Sequence, residues 1–176
     1  MPLDVAPHLL DRLDWPAVAS RLARLAASPL GEALLAGPPE ALFAPDREAA
    51  ARRLAETGEA RALLGAGEVP PFEGAHDVAP HLERLRRGGH LEGPELLAVA
   101  GLLRACARIG RFLRGHAPRA PLLAARAARL RDREPLVLEL ERALDPEGHV
   151  RDQASPALAA ARRALRSHKL EMQARV

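Results

Sequence analysis

Aromatic residues are nearly missing from this chain: Trp15, Phe43, Phe72 and Phe112 are the full set, with no tyrosine. A platform that stacks the bases of a single strand on successive rings is therefore excluded, and the four rings are expected in the core. Cysteine is as scarce. Cys106 stands alone, which rules out an internal disulfide and fits a reducing, cytoplasmic setting. No run of 18 or more apolar residues exists, so no membrane span is expected. The opening MPLDVAPHLLDRLD is acidic where a secretion signal is basic. β-Branched residues are few beside Leu and Ala, which favours helix over sheet.

What remains is sufficient for a fold. The chain has 176 residues, 48% of them hydrophobic, so one domain with a real core is the default despite 16 Pro and 13 Gly. Net charge is only +3, but nearly every one of the 26 basic residues is Arg, Lys169 being the sole lysine. Abundant Arg beside abundant Ala, Gly and Pro is the signature of a GC-rich genome and says little about partners. Local imbalance says more. From Arg151 to Val176, six basic residues face only Asp152 and Glu171, a surplus of four that accounts for the whole chain's excess. That asymmetry points to an acidic partner.

Proline and capping residues punctuate the chain into helices. Asp14-Trp15-Pro16 opens one to about Ala27; Ser28-Pro29 opens a short one ending near Gly37; Pro38-Pro39 opens a turn to Phe43. Asp46 caps a longer helix through Leu64, with Ala50, Leu54, Ala60, Leu63 and Leu64 as apolar positions and Gly58 a weak point. Residues 65–75 are irregular. Asp77 caps a helix to Arg87 that stops at Gly88-Gly89, and Gly93-Pro94 opens the clearest helix, to about Arg114. Arg119–Leu130 and Pro135–Leu144 make two more, and a short extended piece is expected at His149–Val150. The reading is all-α, a helical bundle with short connections.

Ser155-Pro156 then starts a helix that nothing stops before Val176, a rod of roughly 30 Å at 1.5 Å per residue. Its apolar seam is thin: Leu158, Ala161, Leu165 and Met172, with His168 in the remaining slot. A seam that narrow suits one partner helix, and the rod is expected to be a long helix cut short. Its cations Arg162, Arg163, Arg166 and Lys169 are the candidate nucleic-acid contacts. Arg104, Arg108, Arg111 and Arg114 line one side of the Pro94–Arg114 helix, opposite Leu96, Val99, Leu103, Cys106 and Ile109 to Phe112; a solvated face and a phosphate-binding face both fit them.

No catalytic constellation emerges. There is no P-loop pattern, Gly65-Ala66-Gly67 reads as a turn, and no serine sits in a Gly-x-Ser-x-Gly elbow. The seven histidines include neither a His-Glu-x-x-His motif nor an i, i+4 pair, so no metal site is expected.

The order of several short blocks resembles the opening of the bacterial MutS-two proteins, a paralogous branch of the MutS mismatch-repair ATPases. The blocks are Leu13-Asp14-Trp15, Ala26 to Gly31, Glu56 to Ala60 with Leu63-Leu64, and Pro70-Pro71-Phe72 leading to Asp77. They continue with Gly88 to Leu91, Pro94 to Leu97, Arg111 to Leu113, and then Asp145 to Gly148, Val150, Asp152 and Ala154 to Pro156 with Leu158. The stretch between Arg114 and Glu134 departs most. The resemblance implies a MutS core/lever-like segment, residues 1–150 a helical core domain and 151–176 the start of a lever helix. It also implies a cytoplasmic, dimeric parent that suppresses recombination, with an ATP- and Mg-dependent ATPase and a nuclease domain, acting on branched or duplex DNA and in some bacteria on ribosomes. The family's ATP-binding and nuclease motifs match nothing here, so no catalytic residue, cofactor or metal is assigned to this segment. Within that frame, a DNA-clamp relay, a ribosome- or RNA-contacting module and a purely structural or dimerisation scaffold are the competing roles.

Overall fold

A computed structural model describes residues 7–173. Among the described residues the chain is all-α, with no strand beyond a single antiparallel bridge between Leu144 and Val150. The helices are α1 (Pro7–Arg12), α2 (Trp15–Ala23), α3 (Pro29–Ala36), α4 (Arg47–Gly65), α5 (Ala79–Arg86), α6 (Gly93–Gly115), α7 (Pro121–Ala127), α8 (Glu134–Ala143) and α9 (Pro156–Gln173). The chain divides into two compact units. One holds residues up to Asp77 together with Ala105–Asp132; the other holds Val78–Arg104 and Arg133 onward, so α6 contributes to both.

Local chemistry explains the helix starts. The Ser28 hydroxyl accepts from the Gly31 N–H at 3.2 Å, the Asp46 carboxylate from Ala49 at 2.7 Å, and the Ser155 hydroxyl from Leu158 at 3.1 Å. Two helix ends are closed by left-handed glycines. After α4, Gly67 takes φ +78 and lets Glu68 N–H reach Leu63 C=O at 3.0 Å; after α5, Gly88 takes φ +83 and Gly89 N–H reaches Arg84 C=O at 3.0 Å. The Gly65-Ala66-Gly67 stretch is thus a helix stop, as its missing third glycine suggests.

Several expected boundaries move. Helix α2 ends at Ala23, not Ala27, because Leu25 and Ala26 already bond back three residues, to Leu22 and Ala23, ahead of Ser28-Pro29. Helix α5 starts at Ala79 with Val78, not Asp77, at the cap position. Helix α7 covers only Pro121–Ala127 of the expected Arg119–Leu130. Gly58 does not interrupt α4. The expected run of α9 past Gln173 lies outside the described residues.

The first unit is held by the α2–α3 hairpin and by α4 against α7. Trp15 and Phe43 meet with ring centroids 5.1 Å apart. Its fully buried side chains are small (Ala23, Ala75, Ala105, Ala120, Ala127), with Leu63 at 1% exposure the one large member. Two expectations fail here. Leu54 is 73% exposed and Leu64 is exposed too, and none of the four aromatic side chains is fully buried.

Polar ties fix α7 on α4. Ala120 at the cap position of α7 has no side chain to cap with, so Glu59 does it from α4: its carboxylate accepts the Leu122 and Leu123 N–H groups at 3.1 and 2.9 Å. One turn earlier on α4, Glu56 pairs with Arg126 at 2.7 Å, which holds the Glu56 carboxyl below its ordinary range. The Glu56-Thr57-Gly58-Glu59-Ala60 block is therefore the dock for the helix in the divergent 114–134 stretch.

The second unit is organised by Glu95. Its carboxylate accepts the Glu92 N–H at 2.8 Å, binds Arg84 of α5, and lies 3.4 Å from His81. The Arg84 bond, then the Glu92 N–H, lowers the Glu95 carboxyl to about 2. The turn after α8 sits against the start of α6. There a Cβ on Gly93 would lie 1.7 Å from the Gly148 carbonyl oxygen, and Gly148 itself needs φ +87. Only glycine at both positions allows that approach.

Candidate nucleic-acid interface

Helix α9 rises from the Asp145–Ser155 turn. Asp145 shapes the turn, its Oδ1 accepting the N–H groups of Glu147 and His149 at 3.1 and 2.8 Å. Burial works to raise the Asp145 carboxyl, but the bonds and proximity of His149 prevail and lower it. Arg151 N–H then reaches Ala143 C=O at 2.8 Å, and its Nε reaches Leu144 C=O at 2.6 Å. A short 3-10 turn, Asp152–Ala154, carries the chain to the Ser155 cap.

From there no residue of α9 is fully buried. Leu165 is 68% and Met172 72% exposed, so the outer part of the apolar seam is open among the described residues, while Leu158 at its foot is half-buried. At about 100° per residue, Arg162, Arg166 and Lys169 fall on one stripe and Arg163 about a quarter-turn round.

The four candidate residues do not share one environment. Arg162 donates to Asp152 Oδ1 at 2.6 Å and to Val150 C=O at 2.8 Å; Arg166 donates to Asp152 Oδ2 at 2.8 Å. These two guanidiniums, Arg166 first, hold the Asp152 carboxyl below its ordinary range. Arg163 and Lys169 are exposed, and neither has a carboxylate within ion-pair distance among the described residues. Two of the four candidates are thus engaged and two are free. Sequence reasoning used Asp152 as a unit of charge and as part of the closing family block, not as a partner of the arginines ten and fourteen residues further on.

The arginines of α6 divide in another way. Arg104 grips Glu141 of α8 with both ends of its guanidinium, the Nε contact being 2.5 Å, and Arg108 donates to the Glu73 carbonyl. Arg111 and Arg114 are exposed. Half of this face is structural clamp, a use that neither sequence reading of it contained.

An open cleft of about 500 Å³ adjoins the foot of α9, lined by Asp145, His149, Arg151, Asp152, Gln153 and Arg162. Asp145, Glu147 and His149 bring potential metal-binding atoms within 4.8 Å of one another, a grouping missed by a search for paired histidines. They are neighbours in one exposed turn whose bonds Asp145 already supplies, so the turn itself accounts for the grouping. The lowered carboxyls of Glu56, Glu95, Asp145 and Asp152 all shift in the direction of ion pairing and hydrogen bonding, opposite to that of a proton-donating acid. Burial pushes the Cys106 thiol up, away from a reactive thiolate. No helix among the described residues is long and apolar enough to cross a membrane.

Fold and surface together define an all-α segment whose described residues end in an uncovered basic helix. Comparison with known proteins supplies the family. The chain is 38% identical over 164 residues to the Endonuclease MutS2 of Anaeromyxobacter sp., covering 93% of this chain and 20% of that protein. It is 35% identical over 166 residues to that of Geobacillus kaustophilus and 36% over 162 residues to that of Thermus thermophilus, covering 92% and 90% of this chain and 20% of each relative. No family model matches. The chain belongs to the MutS2 family, and it spans about a fifth of the length of these relatives.

Proposed function

We propose that the chain is the non-catalytic N-terminal core and lever segment of a DNA-binding MutS2 protein, and that α9 relays the state of a distant ATPase to a DNA clamp. The observation that carries this reading is α9 itself: its seam is uncovered from Leu165 to Met172, and the charge surplus of the chain is concentrated on it. A helix closes its hydrogen bonds within itself and so transmits displacement along its axis. On this reading ATP and Mg belong to other parts of a cytoplasmic, dimeric parent that restrains recombination, and DNA meets the basic side of the rod.

The test is fluorescence anisotropy of the chain with duplex and branched DNA across a salt series. Removing one cation that touches phosphate should flatten the slope of log affinity against log salt by about 0.9. Arg163→Glu with Lys169→Glu is the informative pair, because neither residue holds the turn in place. Loss of binding supports the reading; binding unchanged in that variant, or absent from the wild-type chain, overturns direct contact by α9. The same uncovered seam supports a second role, helical pairing with a partner, and dimerisation without DNA binding is the outcome that favours it. Preferential binding of structured RNA would favour the ribosome-contacting alternative.

A further inference from the structure

Of the three cations on the α9 stripe, two are already bound to a carboxylate of their own chain. Asp152 presents one oxygen to each: Oδ1 to Arg162 and Oδ2 to Arg166. It sits on the 3-10 turn just outside the helix, and the Arg162 bond to Val150 C=O ties the same guanidinium to the preceding bridge. A carboxylate with its two oxygens spread over two guanidiniums occupies the site that a phosphate's oxygens would take. The pair is reachable: 42% of the Asp152 side chain and 60% of that of Arg166 are open to solvent.

We propose that Asp152 is an internal competitor for DNA phosphate on the α9 stripe, so that duplex DNA engages Arg162 and Arg166 only by displacing it and thereby loosening the foot of the rod. This rests on the reading that α9 meets DNA, and it adds what that reading lacks: a link between contact and the attachment of the helix. In the free chain the stripe offers Lys169 alone, with Arg163 to one side. Displacement of Asp152 opens two more guanidiniums and removes the clasp that fixes the first turns of α9 to the Asp145–Ser155 turn. Nearby charges do not substitute for Asp152. Glu171 projects from the far side of the helix, half a turn from the stripe. Asp145 is engaged by the backbone of its own turn.

Anisotropy with a 20-base-pair duplex, on the wild-type chain and Asp152→Asn, tests the proposal. Asparagine keeps the shape and removes the charge, so binding should tighten roughly tenfold at low salt, and adding Arg162→Gln and Arg166→Gln should abolish that gain. Equal or weaker binding by Asp152→Asn, with the wild type binding and helix content retained, overturns the competitor while leaving DNA contact by α9 intact. No binding by either protein overturns both. A second measurement needs no variant. As duplex is titrated into the wild-type chain, the guanidinium NMR signals of Arg162 and Arg166 should shift in step with the side-chain ammonium signal of Lys169; guanidinium signals that stay fixed while Lys169 responds overturn the displacement.

Discussion

Helices α6 and α9 carry the same kind of sequence, an apolar side and a row of cations at three- and four-residue spacing, yet they meet different fates. Helix α6 buries Ala100 and Ala105 and sends Arg104 and Arg108 to partners 37 and 35 residues away. Helix α9 buries nothing fully, and its engaged arginines reach back only 10 and 14 residues, to the turn at its own foot. Periodicity describes a face; whether the face is a clamp, a core or a free surface is decided by what the fold brings opposite it.

The contrast is sharpest in stability. Enlarging a fully buried alanine of α6, Ala105→Leu, should cost about 2 kcal/mol in urea unfolding, because Ala105 has no exposed surface and the added carbons must displace its neighbours. Truncating α9 by Leu165→Ala should stay within about 0.5 kcal/mol; a cost near that of Ala105→Leu would mean the seam is covered. The docking of α7 comes between. Glu59→Gln weakens a charged cap on two N–H groups, so it should cost about 1 kcal/mol and speed amide exchange at Leu122 and Leu123. If exchange there is unchanged, the cap is idle.

Acid should weaken the start of α6. The Glu95 carboxyl is depressed to about 2 from an ordinary 4.5, so its contribution is complete above about 4.5 and is lost as pH falls toward 2. Asp152 follows the same sign: its contribution fades only below its ordinary value of 3.8. Thermal melts from pH 6 to 2.5 should therefore show a stability decline in the wild-type chain that is reduced in Glu95→Gln. Identical declines in the two proteins would contradict the role given to Glu95. The smallest effect should come from the free cations, since Arg163→Gln and Lys169→Gln should leave the melting temperature unmoved, whereas Arg104→Gln lowers it.

Much of the fold was legible because its causes are local. Ser28, Asp46 and Ser155 cap from within three residues, and Gly67 and Gly88 close helices from two positions beyond their last residues. Legibility failed where the cause lies far off in sequence. The start of α7 depends on Glu59, 63 and 64 residues before the N–H groups it caps, so the helix could not be bounded from its own residues. The core was misplaced for a related reason: Leu54 and Leu64 look like core positions on α4, but they are exposed, and the buried residues of this unit are Leu63 and small alanines such as Ala105, Ala120 and Ala127. For the candidate interface, the cations and the uncovered seam of α9 were readable from spacing and charge balance. The clasp on Asp152 was not, because it depends on how the 3-10 turn aims one side chain at two.

Helix α9, not α6, is the surface proposed to meet nucleic acid. The direct measurement is a salt series of duplex-DNA affinities for two charge-reversed chains, Arg163→Glu with Lys169→Glu on α9 and Arg111→Glu with Arg114→Glu on α6. Binding abolished in the first and kept in the second, with helix content intact in both, is the predicted result. Binding kept in the first and abolished in the second would contradict it.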